Sequence, residues 1–201
     1  MIDTPHGPAR AHVHPLADPR GTLVLGHGAA GGVGARDLVS VARAAESEGF
    51  GVVLVEQPYR VAGRRSPSPA RMLDESWVAV VEELRRRGLV RDPLIVGGRS
   101  SGARVACRTA DATGAAGVLC LAFPLQPPRR GDRPPAPSRL AELEAVSLPV
   151  LVIQGESDPF GMPPAGPRRT VAEVRGNHSL TSDLPAVAEA ARAWLAGRYE
   201  G

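Results

Sequence analysis

The chain has 201 residues, 43% of them hydrophobic and 22% charged, which fits one domain, residues 1–201, burying roughly 70–75% of its chain surface and excludes a wholly disordered protein. The formal net charge is only +3, and all 24 basic residues are arginine, a bias of GC-rich coding more than a nucleic-acid signature. Aromatic residues make up 3%, too few for the stacked rings that a single-strand binder needs, so no nucleic-acid partner is expected.

No apolar run approaches the ~18 residues of a membrane span, and the first residues lack the basic and apolar regions of a secretory leader. The expected location is the cytoplasm, without membrane association. Cys107 and Cys120 fit a reducing compartment and small core positions, and they imply no disulfide framework. No Cys/His spacing supplies a four-ligand metal site, so neither metal nor cofactor is expected.

Taken in chain order, the sequence predicts an edge strand around 11–14 and strands at 22–25, 51–55, 94–97, 117–121, 150–155 and 170–174. Runs such as Val52-Val53-Leu54-Val55 and Val150-Leu151-Val152-Ile153 are apolar throughout, as strands covered on both faces require. Between them lie amphipathic helical stretches at 37–48, 70–87, 101–113, 137–145 and 184–196. Strand and helix alternate, so the fold class is α/β with a mostly parallel sheet. Proline- and arginine-rich loops occupy 63–69 and 125–137. The second is the one place for a small lid and is too short for a cap domain.

Four motifs carry chemistry. Gly98-Arg99-Ser100-Ser101-Gly102 follows the strand Leu94-Ile95-Val96-Gly97 and opens a helix. That strand–turn–helix context is a nucleophile elbow: small flanking residues allow a tight turn that lifts the Ser100 hydroxyl above the sheet. The backbone N–H of Ser101 then faces a developing oxyanion with the helix dipole behind it. Leu25-Gly26-His27-Gly28-Ala29-Ala30-Gly31-Gly32 follows the first clear strand and offers a second oxyanion donor, the N–H of Ala29, with Ala30 next. His27 is expected to hold this loop.

The loop also spells G-x-G-x-x-G, with Glu56 ending the next strand, which imitates a dinucleotide fingerprint. Against that alternative, the helix begins late, near Asp37, so a pyrophosphate would not rest on its N-terminus.

Gln154-Gly155-Glu156-Ser157-Asp158-Pro159-Phe160-Gly161 follows a strand and places an acid where it can orient a histidine. Asp158, further into a turn that Pro159 stiffens, is preferred to Glu156. Gly176-Asn177-His178-Ser179-Leu180 precedes the last helix and supplies the base, His178. The chain order Ser100, Asp158, His178 is that of α/β-hydrolases.

On these residues, together with Arg104 and Phe123-Pro124-Leu125, the chain resembles the small capless α/β-hydrolases of the dienelactone-hydrolase-like type. More narrowly, it is similar to the group that includes the hydrolase-like domain of a eukaryotic non-specific lethal chromatin-complex subunit. The resemblance spans nearly the whole chain from residue 22. It implies an α/β-hydrolase fold, a Ser100–Asp158–His178 triad and hydrolysis of a small ester, thioester or lactone through an acyl-enzyme. Dienelactone hydrolase uses a cysteine nucleophile, so its substrate does not carry over to a chain with Ser100. A non-catalytic scaffold on the same fold is the alternative of a different class.

Lesser features have plainer readings. Tyr59, in Glu56-Gln57-Pro58-Tyr59-Arg60, either lines a pocket or packs. Arg64 and Arg65, with Arg60, follow the second main strand at the expected active-site edge, where they either attract an anionic substrate or stand in solvent. His6, His12 and His14 read as a surface segment. Arg130-Gly131-Asp132 and Asn177-His178-Ser179 match an adhesion tripeptide and a glycosylation sequon that need an extracellular setting.

Overall fold

The computed structural model describes residues 1–127 and 136–197. The Arg130-Gly131-Asp132 tripeptide and most of the 125–137 loop lie outside the described residues. Seven strands form one sheet: β1 (Arg10–His14), β2 (Gly21–Gly26), β3 (Phe50–Glu56), β4 (Leu94–Arg99), β5 (Gly117–Leu121), β6 (Val150–Gly155) and β7 (Arg169–Val174). Their order across the sheet is β1-β3-β2-β4-β5-β6-β7. All neighbouring pairs are parallel except β1 with β3, where Arg10 stands opposite Glu56 and His14 opposite Val52. This is the α/β-hydrolase fold, with a mostly parallel sheet covered on both faces and no cap domain among the described residues.

The inner strands explain themselves. Every residue of β2, β5 and β6 is buried, as two-sided coverage demands of uniformly apolar runs. The antiparallel edge strand β1 is short and carries Arg10, His12 and His14, charged or polar groups that discourage pairing with another chain.

Two helices cover one face. In α1 (Arg36–Ser47), Leu38, Val41, Ala42 and Ala45 recur at helical spacing and are buried. They pack with Val187, Ala191 and Leu195 of α6 (Leu184–Ala196) against Leu23, Leu25, Val52 and Ile153. Helix α6 starts where Asp183 accepts the Ala186 N–H at 3.2 Å and Pro185 occupies the first turn, both N-terminal signals.

The opposite face is covered by α3 (Ala70–Arg86), α4 (Ser101–Thr109) and the short α5 (Leu140–Glu144). Leu73, Trp77, Val80, Val81 and Leu84 of α3 are buried against Val24, Val53 and Val96. A one-turn helix, α2 (Pro58–Val61), follows β3 and has no counterpart in the sequence reading, because four residues are too few for a periodic signal. Helix α5 is likewise shorter than the stretch expected at 137–145, and α4 ends at Thr109 and not at 113.

Candidate active site

The C-terminal ends of β2, β4, β6 and β7 lie on one edge of the sheet, and the loops leaving them meet there. At the end of β4 the chain turns so sharply that Ser100 adopts φ 51° and ψ −106° before α4 begins. That left-handed conformation is costly for a residue with a side chain. It is held by the Ser100 N–H donating to Leu121 O at 2.8 Å and by the close approach of α4 to β2. A Cβ on Gly102 would lie 2.5 Å from Gly26 O and 2.9 Å from His27 O, so only glycine permits this packing.

The Ser100 Oγ lies 3.0 Å from His178 Nε2. On the other side of the ring, Nδ1 lies 2.8 Å from Asp158 Oδ2. The three groups form one hydrogen-bonded chain from a half-buried hydroxyl to a carboxylate whose side chain is 0% exposed. The Asp158 carboxylate is itself fixed: Oδ2 also accepts from Gln154 Nε2 at 2.9 Å, and Oδ1 accepts the Phe160 N–H at 2.9 Å. These bonds set the carboxylate plane and, with Nδ1–H pointing at Asp158, leave Nε2 as the acceptor facing Ser100. The Phe160 ring packs on the imidazole at a centroid distance of 4.4 Å. Glu156, the rival acid in the sequence, is exposed and outside this chain.

The loop after β2 borders the nucleophile. A Cβ on Gly28 would sit 3.6 Å from Ser100 Cβ. His27 is buried and bonded at both nitrogens: Nδ1 pairs with Gly28 O at 2.8 Å, and Nε2 accepts the Gln57 N–H at 3.1 Å. Burial pushes its imidazole below the ordinary range, with the Gly28 bond pulling the other way. Tyr59 crosses beneath the same loop, 3% exposed, its ring edge-on to His27 and its hydroxyl donating to Ala29 O at 3.1 Å. Tyr59 thus supports the loop, and it also lines a small cavity together with His27, Trp77 and Ser101. The N–H groups of Ala29 and Ser101 have no acceptor among the described residues and belong to the two segments flanking Ser100.

Arg64 and Arg65 stand exposed beyond α2, without an ion-pair partner among the described residues. Glu56, the acid of the dinucleotide alternative, is taken by Arg10 at 3.2 Å and His12 at 3.1 Å on the edge strand. The helix after the glycine loop starts only at Arg36, beyond Gly31, the last glycine of the fingerprint, by a further turn of loop. That alternative therefore lacks both of its contacts.

The sequence reading missed Arg99 and Asp37. Arg99 Nε donates to Asp37 Oδ2 at 2.8 Å and Nη2 donates to His178 O at 2.9 Å. Burial pushes the Asp37 carboxyl up, and the Arg99 charge pulls it back. The only sequence signal was an arginine inside the elbow, at the position just before the nucleophile.

The sheet order and the helices on both faces define an α/β hydrolase in architecture. Residues 19–181 match the alpha/beta hydrolase domain family, and the chain belongs to that family. Among solved structures, the chain is similar to an α/β serine hydrolase without a lid from Xanthomonas campestris. The two are 21% identical over 96% of this chain and 92% of that one, with a TM-score of 0.71. It is also similar to Est1E from Butyrivibrio proteoclasticus, solved with ferulic acid bound, at 16% identity over 93% and 94% of the chains and a TM-score of 0.70. The mouse alpha/beta hydrolase domain-containing protein 10 is 12% identical over 93% of each chain, with a TM-score of 0.66. Likeness at these identities concerns the fold. No curated protein matches the chain in sequence. No helix among the described residues is long and apolar enough to cross a membrane.

Proposed function

We propose that the protein is a serine hydrolase that cleaves a small ester, thioester or lactone. The observation that carries the reading is the unbroken chain Ser100 Oγ–His178 Nε2 at 3.0 Å and His178 Nδ1–Asp158 Oδ2 at 2.8 Å. Ser100 Oγ attacks the acyl carbon while His178 Nε2 takes its proton, and Asp158 holds the tautomer and stabilises the imidazolium. The N–H groups of Ser101 and Ala29 receive the negative charge that develops on the carbonyl oxygen. The tetrahedral intermediate collapses, and His178 returns the proton to the departing oxygen or sulfur. Water, deprotonated by the same imidazole, then releases the acid and regenerates the Ser100 hydroxyl.

Residues 1–201 are read as one such domain of the capless dienelactone-hydrolase-like type, near the group of the non-specific lethal subunit. No metal or cofactor enters this mechanism. Est1E from Butyrivibrio binds ferulic acid, a small carboxylic acid, and a fold with no cap domain among the described residues suits acyl groups of that modest size. Arg64 and Arg65, exposed after β3, are assigned the recruitment of substrates that carry a negative charge. The proposed setting is the reducing cytoplasm, where the Cys107 and Cys120 thiols, hydrogen-bonded at 3.5 Å, stay as thiols.

A fluorophosphonate probe tests the reading directly. Labelling of Ser100 together with turnover of short p-nitrophenyl esters is the expected result. A folded protein that neither labels nor turns over any ester, thioester or lactone in a panel is the scaffold instead.

A further inference from the structure

We infer that Arg99 is a positioning residue: its guanidinium ties the loop that carries His178 to the elbow and to α1, and so fixes the imidazole over Ser100. The inference rests on the hydrolase reading above. Arg99 immediately precedes the strained Ser100, so its backbone is set by the elbow itself. From there one planar group reaches three other segments. Nε donates to Asp37 Oδ2 at 2.8 Å and Nη2 to His178 O at 2.9 Å. Nη1 lies against the glycine loop, where a Cβ on Gly28 would come within 2.8 Å of it. The nucleophile, the base and the loop assigned the second oxyanion donor are thus clasped by one side chain.

The clasp is rigid by construction. Asp37 is 1% exposed, and its second oxygen accepts the Leu38 N–H at 2.9 Å, so the carboxylate cannot swing away. The Arg99 side chain is 18% exposed, and the fork geometry of a guanidinium serves two acceptors at once, which a lysine ammonium on a flexible stem does not reproduce.

Asp158 controls the other end of the problem, since it holds the ring through Nδ1. The bonds inside the 176–180 turn are local: Ser179 N–H to Asn177 Oδ1 at 3.0 Å and Leu180 N–H to Asn177 O at 3.0 Å. They shape the turn without relating it to β4. The Arg99–His178 bond supplies that relation. A largely buried ion pair adds little net stability compared with apolar residues of similar volume. Its value here lies in geometry, where an error of about 1 Å costs on the order of 100-fold in rate.

Three variants, Arg99→Lys, Arg99→Met and the double variant Asp37→Leu/Arg99→Met, separate positioning from stability. The double variant removes both charges and keeps the fold testable if Arg99→Met alone strands Asp37. The expected result is a kcat lowered by roughly 10- to 100-fold in Arg99→Met and in the double variant, with KM changed much less. Arg99→Lys recovers only part of the rate. Thermal stability returns in the double variant while kcat does not. Wild-type kcat in a folded double variant overturns the inference. Proton NMR of the His178 imidazole gives a readout independent of turnover: the low-field Nδ1 proton bonded to Asp158 is sharp in the wild type and broadens in the variants. An unchanged resonance in both Arg99→Met and the double variant also overturns it. If the wild type itself hydrolyses nothing, the hydrolase reading fails, and the resonance still decides whether Arg99 positions His178.

Discussion

Gly155, at the end of β6, lies directly against the main chain of Asn177: a Cβ there would be 2.6 Å from the Asn177 carbonyl oxygen. The contact brings the loop holding Asp158 onto the turn holding His178. Ser157 reinforces it, its N–H and Oγ meeting Gly176 O at 3.0 and 2.8 Å. Because backbone atoms would have to move, Gly155→Ala is expected to cost about 1–3 kcal/mol of stability. The same displacement separates acid from base, so kcat is expected to fall at least about tenfold in the folded fraction. Thermal melts and active-site titration of one preparation check both.

Ser100→Ala is expected to abolish fluorophosphonate labelling and ester hydrolysis with an unchanged circular dichroism spectrum. Ser101→Ala is the control, because its assigned contribution is a backbone N–H that alanine retains. Loss in Ser101→Ala with labelling kept in Ser100→Ala would place the nucleophile one residue later.

Asp158→Asn is expected to lower kcat by on the order of 10³–10⁴, because the amide no longer enforces the tautomer with Nε2 free. Glu156→Gln is expected to leave kcat within about twofold, since Glu156 is exposed and outside the chain of bonds. The reverse ranking in steady-state kinetics would transfer the acid role to Glu156.

His27 links stability to pH. Its imidazole is held neutral because burial opposes the charge and Nε2 must accept the Gln57 N–H. Below the ordinary value of 6.5 the unfolded chain takes up a proton that the fold resists. The stabilisation is therefore complete above that pH and declines as the pH falls through it toward the lower folded value. Melting temperature is expected to drop on acidification from about pH 7 to 5 more steeply in the wild type than in His27→Gln. Equal slopes would place the acid sensitivity elsewhere.

Exposed arginines act through long-range attraction. For a carboxylate-bearing ester, kcat/KM is expected to fall with added salt and in the Arg64→Ala and Arg65→Ala variants, while a neutral ester of equal size is unaffected. Turnover on p-nitrophenyl esters is expected to decline beyond short acyl chains. An identical salt response for the two esters removes the charge argument, and efficient long-chain turnover removes the size argument.

The amino-acid sequence by itself determined the alternation of strands and helices. Runs such as Val52–Val55 are apolar at every position only if both faces are covered, and α1 and α3 repeat their apolar residues at helical spacing. It also placed Ser100, Asp158 and His178 at strand ends, since glycine, proline and short polar runs punctuate those turns. Tertiary structure decided the rest. The choice between Asp158 and Glu156 is a matter of which carboxylate points inward after the turn, two residues apart with identical chemistry. Tyr59 could not be assigned from its neighbours, because its hydroxyl partner, Ala29 O, lies thirty residues earlier. The Asp37–Arg99–His178 connection was invisible for the same reason. Local propensity and periodicity report on residues within one or two turns of each other, whereas a guanidinium finds its acceptors only after the sheet has brought β2, β4 and β7 to a common edge.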